Sequence, residues 1–217
     1  MGLLTLLQSD PLAFGLVVAI LLLSLALHEW GHAITALWMG DSTAKEQGRV
    51  TLNPLKHLDL LGSAMILLVG FGWARPVPIY PPNFRHYRLG LFVVSIAGIV
   101  INLLIATFLA LVLRWMLASG YLENPSGFVL VLAQAAAIAA SINLTLAVFN
   151  LLPIPPLDGS KIVQSFLPLR WHPYIWRLEA NPTYAIVAML LLLTVLRQPL
   201  SSFLALVRTR FFDVFGL

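Results

Sequence analysis

Long apolar runs alternate with short polar links along this chain, and the alternation predicts most of its elements. Leu12 to about Met39 is apolar for long enough, at 1.5 Å per helical residue, to cross roughly 30 Å of hydrocarbon. Asp10-Pro11 reads as its start and Gly40-Asp41 as its stop. Ser42 to Asp59 is polar; within it Gly48-Arg49-Val50-Thr51-Leu52 predicts a short strand and Asn53-Pro54 a turn. Leu60 to Gly72 is apolar for only about a dozen residues, which fits a re-entrant or interfacial segment better than a crossing. Trp73 to Pro82 carries four prolines and cannot be helix; its alternation predicts an extended edge, with Gly70–Tyr80 as a hairpin. Leu89 to Leu113 and Phe128 to Leu152 are further spans, the second ending at Pro153-Ile154-Pro155-Pro156. Ser160 to Glu179 reads as a short interfacial helix. Pro182 to Leu196 is a short span, and Leu200 to Phe215 either crosses or lies in the interface.

The expected fold is therefore an all-α polytopic membrane protein with four to six transmembrane helices. A short membrane-associated β-hairpin or re-entrant segment lies between the first two long ones. One integral-membrane domain covers residues 1–217, with a core at about 12–161 and an interfacial helix and one or two apolar segments in 162–217. Composition agrees: 59% of residues are hydrophobic and 10% charged, against about a quarter charged in soluble domains. The net charge of +4 comes from Lys and Arg in the links, where bilayer topology accounts for them, so nucleic acid is not an expected partner. Met1 to Phe14 has no basic residue and so lacks the charged start of a secretory signal. Leu6 stands where a myristoylation pattern needs Ser or Thr.

Charge also orients the chain. Lys45, Arg49, Lys56, Arg75, Arg85 and Arg88 crowd the first long connection, and Lys161, Arg170 and Arg177 the third. The positive-inside rule puts both in the cytoplasm, so the first and fourth apolar runs end on the same side.

One stretch breaks the apolar pattern. His28, Glu29 and His32 sit inside the first run, where an ionisable group costs at least roughly 2.5–3.5 kcal/mol on insertion scales. They spell His-Glu-x-x-His, which on a helix sets two imidazoles one turn apart on one face. Cysteine is absent, so a transition-metal site must use His, Asp or Glu, and zinc is the expected ion. Glu29, on an adjacent face, suits a general base acting on an activated water and then a proton donor to a leaving amine. A catalytic zinc site wants three protein ligands and an open position. Asp10 lies at the far end of the helix, Glu123 on the other side, and Asp41, Glu46 and Asp59 in polar links where solvation is ordinary. Asp158 remains, beyond a proline-broken helix end on the correct side. Read alone, Asp158 is a turn residue of Leu-Asp-Gly. Asn102, Asn143 and Asn150 read as interhelical hydrogen-bond formers, Trp30 as a packing residue, and His57, His86 and His172 as interfacial or loop residues.

His28-Glu29-Trp30-Gly31-His32-Ala33, followed by Asn150-Leu151-Leu152-Pro153-Ile154-Pro155-Pro156-Leu157-Asp158-Gly159, resembles the site-2 protease family of intramembrane zinc metalloproteases. The resemblance takes in Gly48–Pro54, Gly72–Pro78 and Ala97-Gly98…Asn102, and spans roughly Leu21 to Lys161. It implies His28, His32 and Asp158 as zinc ligands, one zinc per chain, and Glu29 as the catalytic residue. Asn150 matches an asparagine that helps hold the substrate carbonyl. Ile99 stands where the family usually has proline. The match is to the compact bacterial and archaeal type, with no PDZ-like insertion or appended regulatory domain. The implied activity is hydrolysis of peptide bonds in or near transmembrane segments of other proteins, within a bacterial or archaeal cell membrane, the site facing the cytoplasm. The competing expectations are a membrane metal-ion transporter, or an inactive relative that binds a partner.

Overall fold

The computed structural model describes residues 7–9, 11–69 and 74–217. The start at Asp10, residues Met1–Leu6 and the Gly70–Trp73 part of the expected hairpin lie outside the described residues.

Helix α1 runs Pro11–Met39 and is followed by a single turn, α2 (Thr43–Glu46). After a 3-10 turn at Pro54–Lys56 comes α3 (Leu60–Val69), too short at ten residues to cross. Next come α4 (Tyr87–Ala118) and α5 (Gly127–Asn150). The chain ends in α6 (Asp158–Phe166), α7 (His172–Glu179), α8 (Pro182–Leu193) and α9 (Arg197–Val214). Among the described residues, α1, α4 and α5 are long and apolar enough to cross a membrane. The Ile186–Leu192 part of α8 and α9 are bent by 68° and add one candidate if taken as a single broken span.

Helix α4 is the centre: it packs against α1, α5 and α6. Its buried stripe, Gly90, Val94, Gly98, Asn102, Ala106, Ala110 and Leu113, advances three or four residues at a time along one face. The buried faces of its partners are rich in small residues, Ala26, Gly31, Ala33 and Ala36 of α1 and Ala139, Ala140 and Ala147 of α5. The large side chains Leu23, Leu104, Phe108, Leu111 and Leu132 point outward. Lipid tails are as apolar as leucine, so burying leucine drives little association there; close packing of small faces and interhelical hydrogen bonds do. One such bond runs from Asn143 Nδ2 to Ser24 Oγ at 2.9 Å, joining α5 to α1.

Three expectations change. Gly48–Leu52 is not a strand: Gly48, at φ +63°, closes α2, and the N–H groups of Gly48 and Arg49 donate to Lys45 and Ala44 carbonyls at 2.9 and 2.8 Å. The amides that a strand would pair are spent on a helix C-terminal turn. Among the described residues the hairpin reduces to one isolated antiparallel bridge, Leu58 to Ala74, and 75–80 is neither strand nor helix. The single Ser160–Glu179 helix is two, α6 and α7, separated where Pro168 cannot continue a helix.

The link after α1 buries three of its polar side chains, those of Asp41, Arg49 and His57. Asp41 is fully enclosed and accepts hydrogen bonds from Thr43 N–H, Asn83 Nδ2 and Tyr80 N–H, the last at 2.6 Å. His57 is also enclosed; its Nε2 donates to the Thr51 carbonyl at 2.9 Å, and its own carbonyl accepts from Arg75 N–H at 2.8 Å. The Arg49 guanidinium donates to the Arg75 carbonyl at 2.7 Å. These contacts clamp the 75–83 segment onto the end of α1.

Candidate metal centre

His28 and His32 lie one turn apart on α1 and face α4. A Cβ at Gly98 would lie 2.5 Å from His28 Cε1, so the imidazole occupies the space that a side chain there would fill. The third element arrives through the turn after α5. The Ile154 N–H donates to the Leu152 carbonyl at 2.8 Å, and a Cβ at Gly159 would collide with the Leu151 and Leu152 carbonyls. Gly159 thus lets the chain double back and start α6 at Asp158. A carboxylate in the first turn of a helix is also favoured by the exposed N–H groups there.

The three side chains are buried and their donor atoms converge. Asp158 Oδ2 is 3.1 Å from His28 Nε2 and 3.2 Å from His32 Nε2, and the two nitrogens are 3.0 Å apart. Asp158 Oδ2 has no solvent and no hydrogen bond of acceptable geometry, an orphaned acceptor that costs free energy unless an ion satisfies it. A tetrahedral zinc with arms of about 2.0–2.1 Å has ligand–ligand edges of about 3.3–3.4 Å, close to the spacings observed. The outer nitrogen of His32 fits as well: Nδ1 is 2.7 Å from the Val94 carbonyl, which can only accept, so Nδ1 carries the proton and Nε2 keeps its lone pair. The donor set therefore fits a zinc ion.

Glu29 is turned from this cluster toward the clamped segment, and its Oε2 accepts the Val77 N–H at 2.9 Å. Asn150 ends α5, and its Nδ2 donates to the Leu146 carbonyl at 3.0 Å. That bond uses one of the two N–H groups of the amide, so a role holding a substrate carbonyl would fall to the other.

Sequence reasoning missed four residues that shape the site. Gly98 and Asn102 share a face of one apolar run one turn apart, a spacing that reads as tight helix packing, yet one makes room for the His28 ring and the other meets its Nδ1 at 3.1 Å. Asp41 was assigned a solvated role; the Asp-x-Thr spacing at 41 and 43 is the turn signal that could have flagged it. Val77 carried no side-chain signal, because its contribution is a backbone N–H.

Comparison with known proteins agrees with this chemistry. The model of "Peptidase family M50" matches residues 122–193, which include Asn150 and Asp158. "Putative zinc metalloprotease YwhC" of Bacillus subtilis is 46% identical over 151 residues, 70% of this chain and 68% of that protein. "Putative zinc metalloprotease Rip2" of Mycobacterium tuberculosis is 34% identical over 166 residues, 73% of this chain and 61% of that protein. No solved structure matches the chain. With 46% identity to the Bacillus subtilis protein over more than two thirds of both chains, this protein belongs to the M50 family of zinc metalloproteases.

Proposed function

We propose that this chain hydrolyses peptide bonds in or near the transmembrane segments of other membrane proteins. His28, His32 and Asp158 hold the zinc and Glu29 handles the proton. The observation that carries the reading is the convergence of three buried donor atoms, one an orphaned carboxylate oxygen, inside an otherwise apolar bundle. Zinc, when bound, supplies Lewis acidity to water and to the scissile carbonyl. Glu29 takes the proton from water and returns it to the departing amine. The surrounding helices exclude bulk water, which strengthens every charge interaction at the site. The basic links favour a site toward the cytoplasm.

A substrate helix hides its carbonyls in its own hydrogen bonds and must unwind before it is cut. An unwound segment added as a strand along the 75–80 segment would need free N–H groups there. Pro76 and Pro78 have none, and the amides of Arg75, Val77 and Tyr80 already donate to the His57 carbonyl, Glu29 and Asp41. Only Ile79 adds another amide, unless Val77 releases Glu29. Substrate engagement and the freeing of Glu29 are thus one event in this reading.

The test compares wild type with Glu29→Gln, purified in detergent with zinc, on a model transmembrane substrate. Cleavage should fall by about 10²–10⁴-fold, the usual worth of a positioned acid–base group, while bound zinc stays at one per chain. Equal cleavage by both proteins would refute the role of Glu29. Absent cleavage with equal zinc flux into vesicles would favour the transporter.

A further inference from the structure

The two histidines are not served alike on their outer nitrogens. His32 Nδ1 faces a carbonyl, which fixes its proton. His28 Nδ1 faces the side-chain amide of Asn102, with Nδ2 placed at 3.1 Å, and Asn102 Oδ1 is left buried with no partner. Asn102 is fully enclosed in α4, one turn beyond the Gly98 that receives the His28 ring. As placed, the amide would donate to Nδ1, which puts the ring proton on Nε2, the nitrogen aimed at Asp158 and His32. A half-turn of the amide exchanges its two ends, which are hard to tell apart by shape. It then offers the orphaned oxygen to Nδ1–H and clears the Nε2 lone pair.

Resting on the zinc-site reading, we propose that Asn102 is a positioning residue for the metal: its side-chain carbonyl accepts the Nδ1–H of His28 and fixes the tautomer that binds zinc. This is more than interhelical packing. A packing or donor role is satisfied by Nδ2, whereas this one needs an acceptor. The two roles separate on substitution. Asn102→Asp keeps an acceptor and has no donor; Asn102→Leu has similar size and neither.

The experiment titrates zinc against a chromogenic chelator on the purified full chain and follows melting of the zinc-free protein. Asn102→Leu should lose about 10–100-fold in zinc affinity, the usual effect of removing such a partner, and Asn102→Asp should stay within a few-fold of wild type. Cobalt substitution gives a second readout: visible bands should be wild-type-like in Asn102→Asp and altered in Asn102→Leu. Wild-type affinity in Asn102→Leu overturns the proposal. So does an equal loss in both variants, which would mark a donor or a purely structural role. Asp158→Asn is the control for the underlying reading. Zinc held as tightly by Asp158→Asn as by wild type would overturn the metal centre itself. Zinc lost there but kept in Asn102→Leu overturns only the role of Asn102.

Discussion

Replacing Gly98 with alanine sets two effects of opposite sign against each other. Helix propensity alone favours alanine over glycine by about 1 kcal/mol in a helix interior, so α4 would gain stability. The geometry opposes this. The new Cβ would lie 2.5, 2.6 and 2.7 Å from His28 Cε1, Nε2 and Nδ1, where ordinary contact begins at 3.4 Å. Relieving the shortest contact moves the ring by about 0.9 Å, several times the roughly 0.2 Å tolerance of a metal–ligand distance. A displacement near 1 Å at a reacting centre costs on the order of 100-fold in rate. Gly98→Ala should therefore bind zinc at least about 10-fold more weakly and cleave about 100-fold more slowly. Its zinc-free melting temperature should not fall by as much as a misfolded bundle would require. Chelator competition, a substrate time course and melting with and without zinc measure all three. Unchanged zinc affinity with a raised melting temperature would refute the steric argument and show that the His28 ring does not depend on that space.

Other outcomes follow from the clamp after α1. Asp41→Ala strands the Tyr80 N–H, Thr43 N–H and Asn83 amide donors and should cost about 1–3 kcal/mol, read as denaturant or thermal stability at neutral pH. Burial pushes the Asp41 carboxyl up, but the hydrogen bonds from Thr43, Tyr80 and Asn83 outweigh it and hold the group below its ordinary value of 3.8. Its contribution is therefore complete above about pH 4 and fades as the pH falls through the lowered value, so the stability gap between wild type and Asp41→Asn should narrow in acid. A gap constant from pH 7 to pH 3 would contradict this. Val77→Pro releases Glu29 but also removes the amide that a substrate strand would take over, so cleavage should still fall while zinc stays bound, with Val77→Ala nearly normal. Ile79→Pro removes the remaining amide of the segment; undiminished cleavage in that variant would rule out strand addition there.

The long helices were legible because apolar length is a local property: the runs beginning near Leu12, Leu89 and Phe128 correspond to α1, α4 and α5 within a few residues. The three metal-ligand candidates were legible for a related reason, since an ionisable residue in such a run, and an aspartate after a proline break, are each visible without knowing contacts. Asp41 and His57 were not. Their burial comes from partners far away in sequence, Tyr80 and Arg75, and a polar link gives no local sign of being covered. The Gly48–Leu52 strand failed through turn chemistry: a left-handed glycine ended a short helix where alternation alone implied extension. Gly98 and Asn102 were seen but read as packing, because spacing shows that two residues share a face and not which ring lies against them.

The hydrogen bond between Val77 and Glu29 also bears on self-control. A protease embedded among potential substrates needs some bar to cutting whatever drifts past. On the proposed reading Glu29 is the catalytic base, and it is tethered to the Val77 N–H between two prolines that have no N–H to offer a passing strand. A sequence that cannot unwind and compete for that amide meets an enzyme whose base is occupied. Discrimination would then lie in how readily a substrate surrenders its own helix, a property of its glycine and proline content, rather than in the fit of any side-chain pocket.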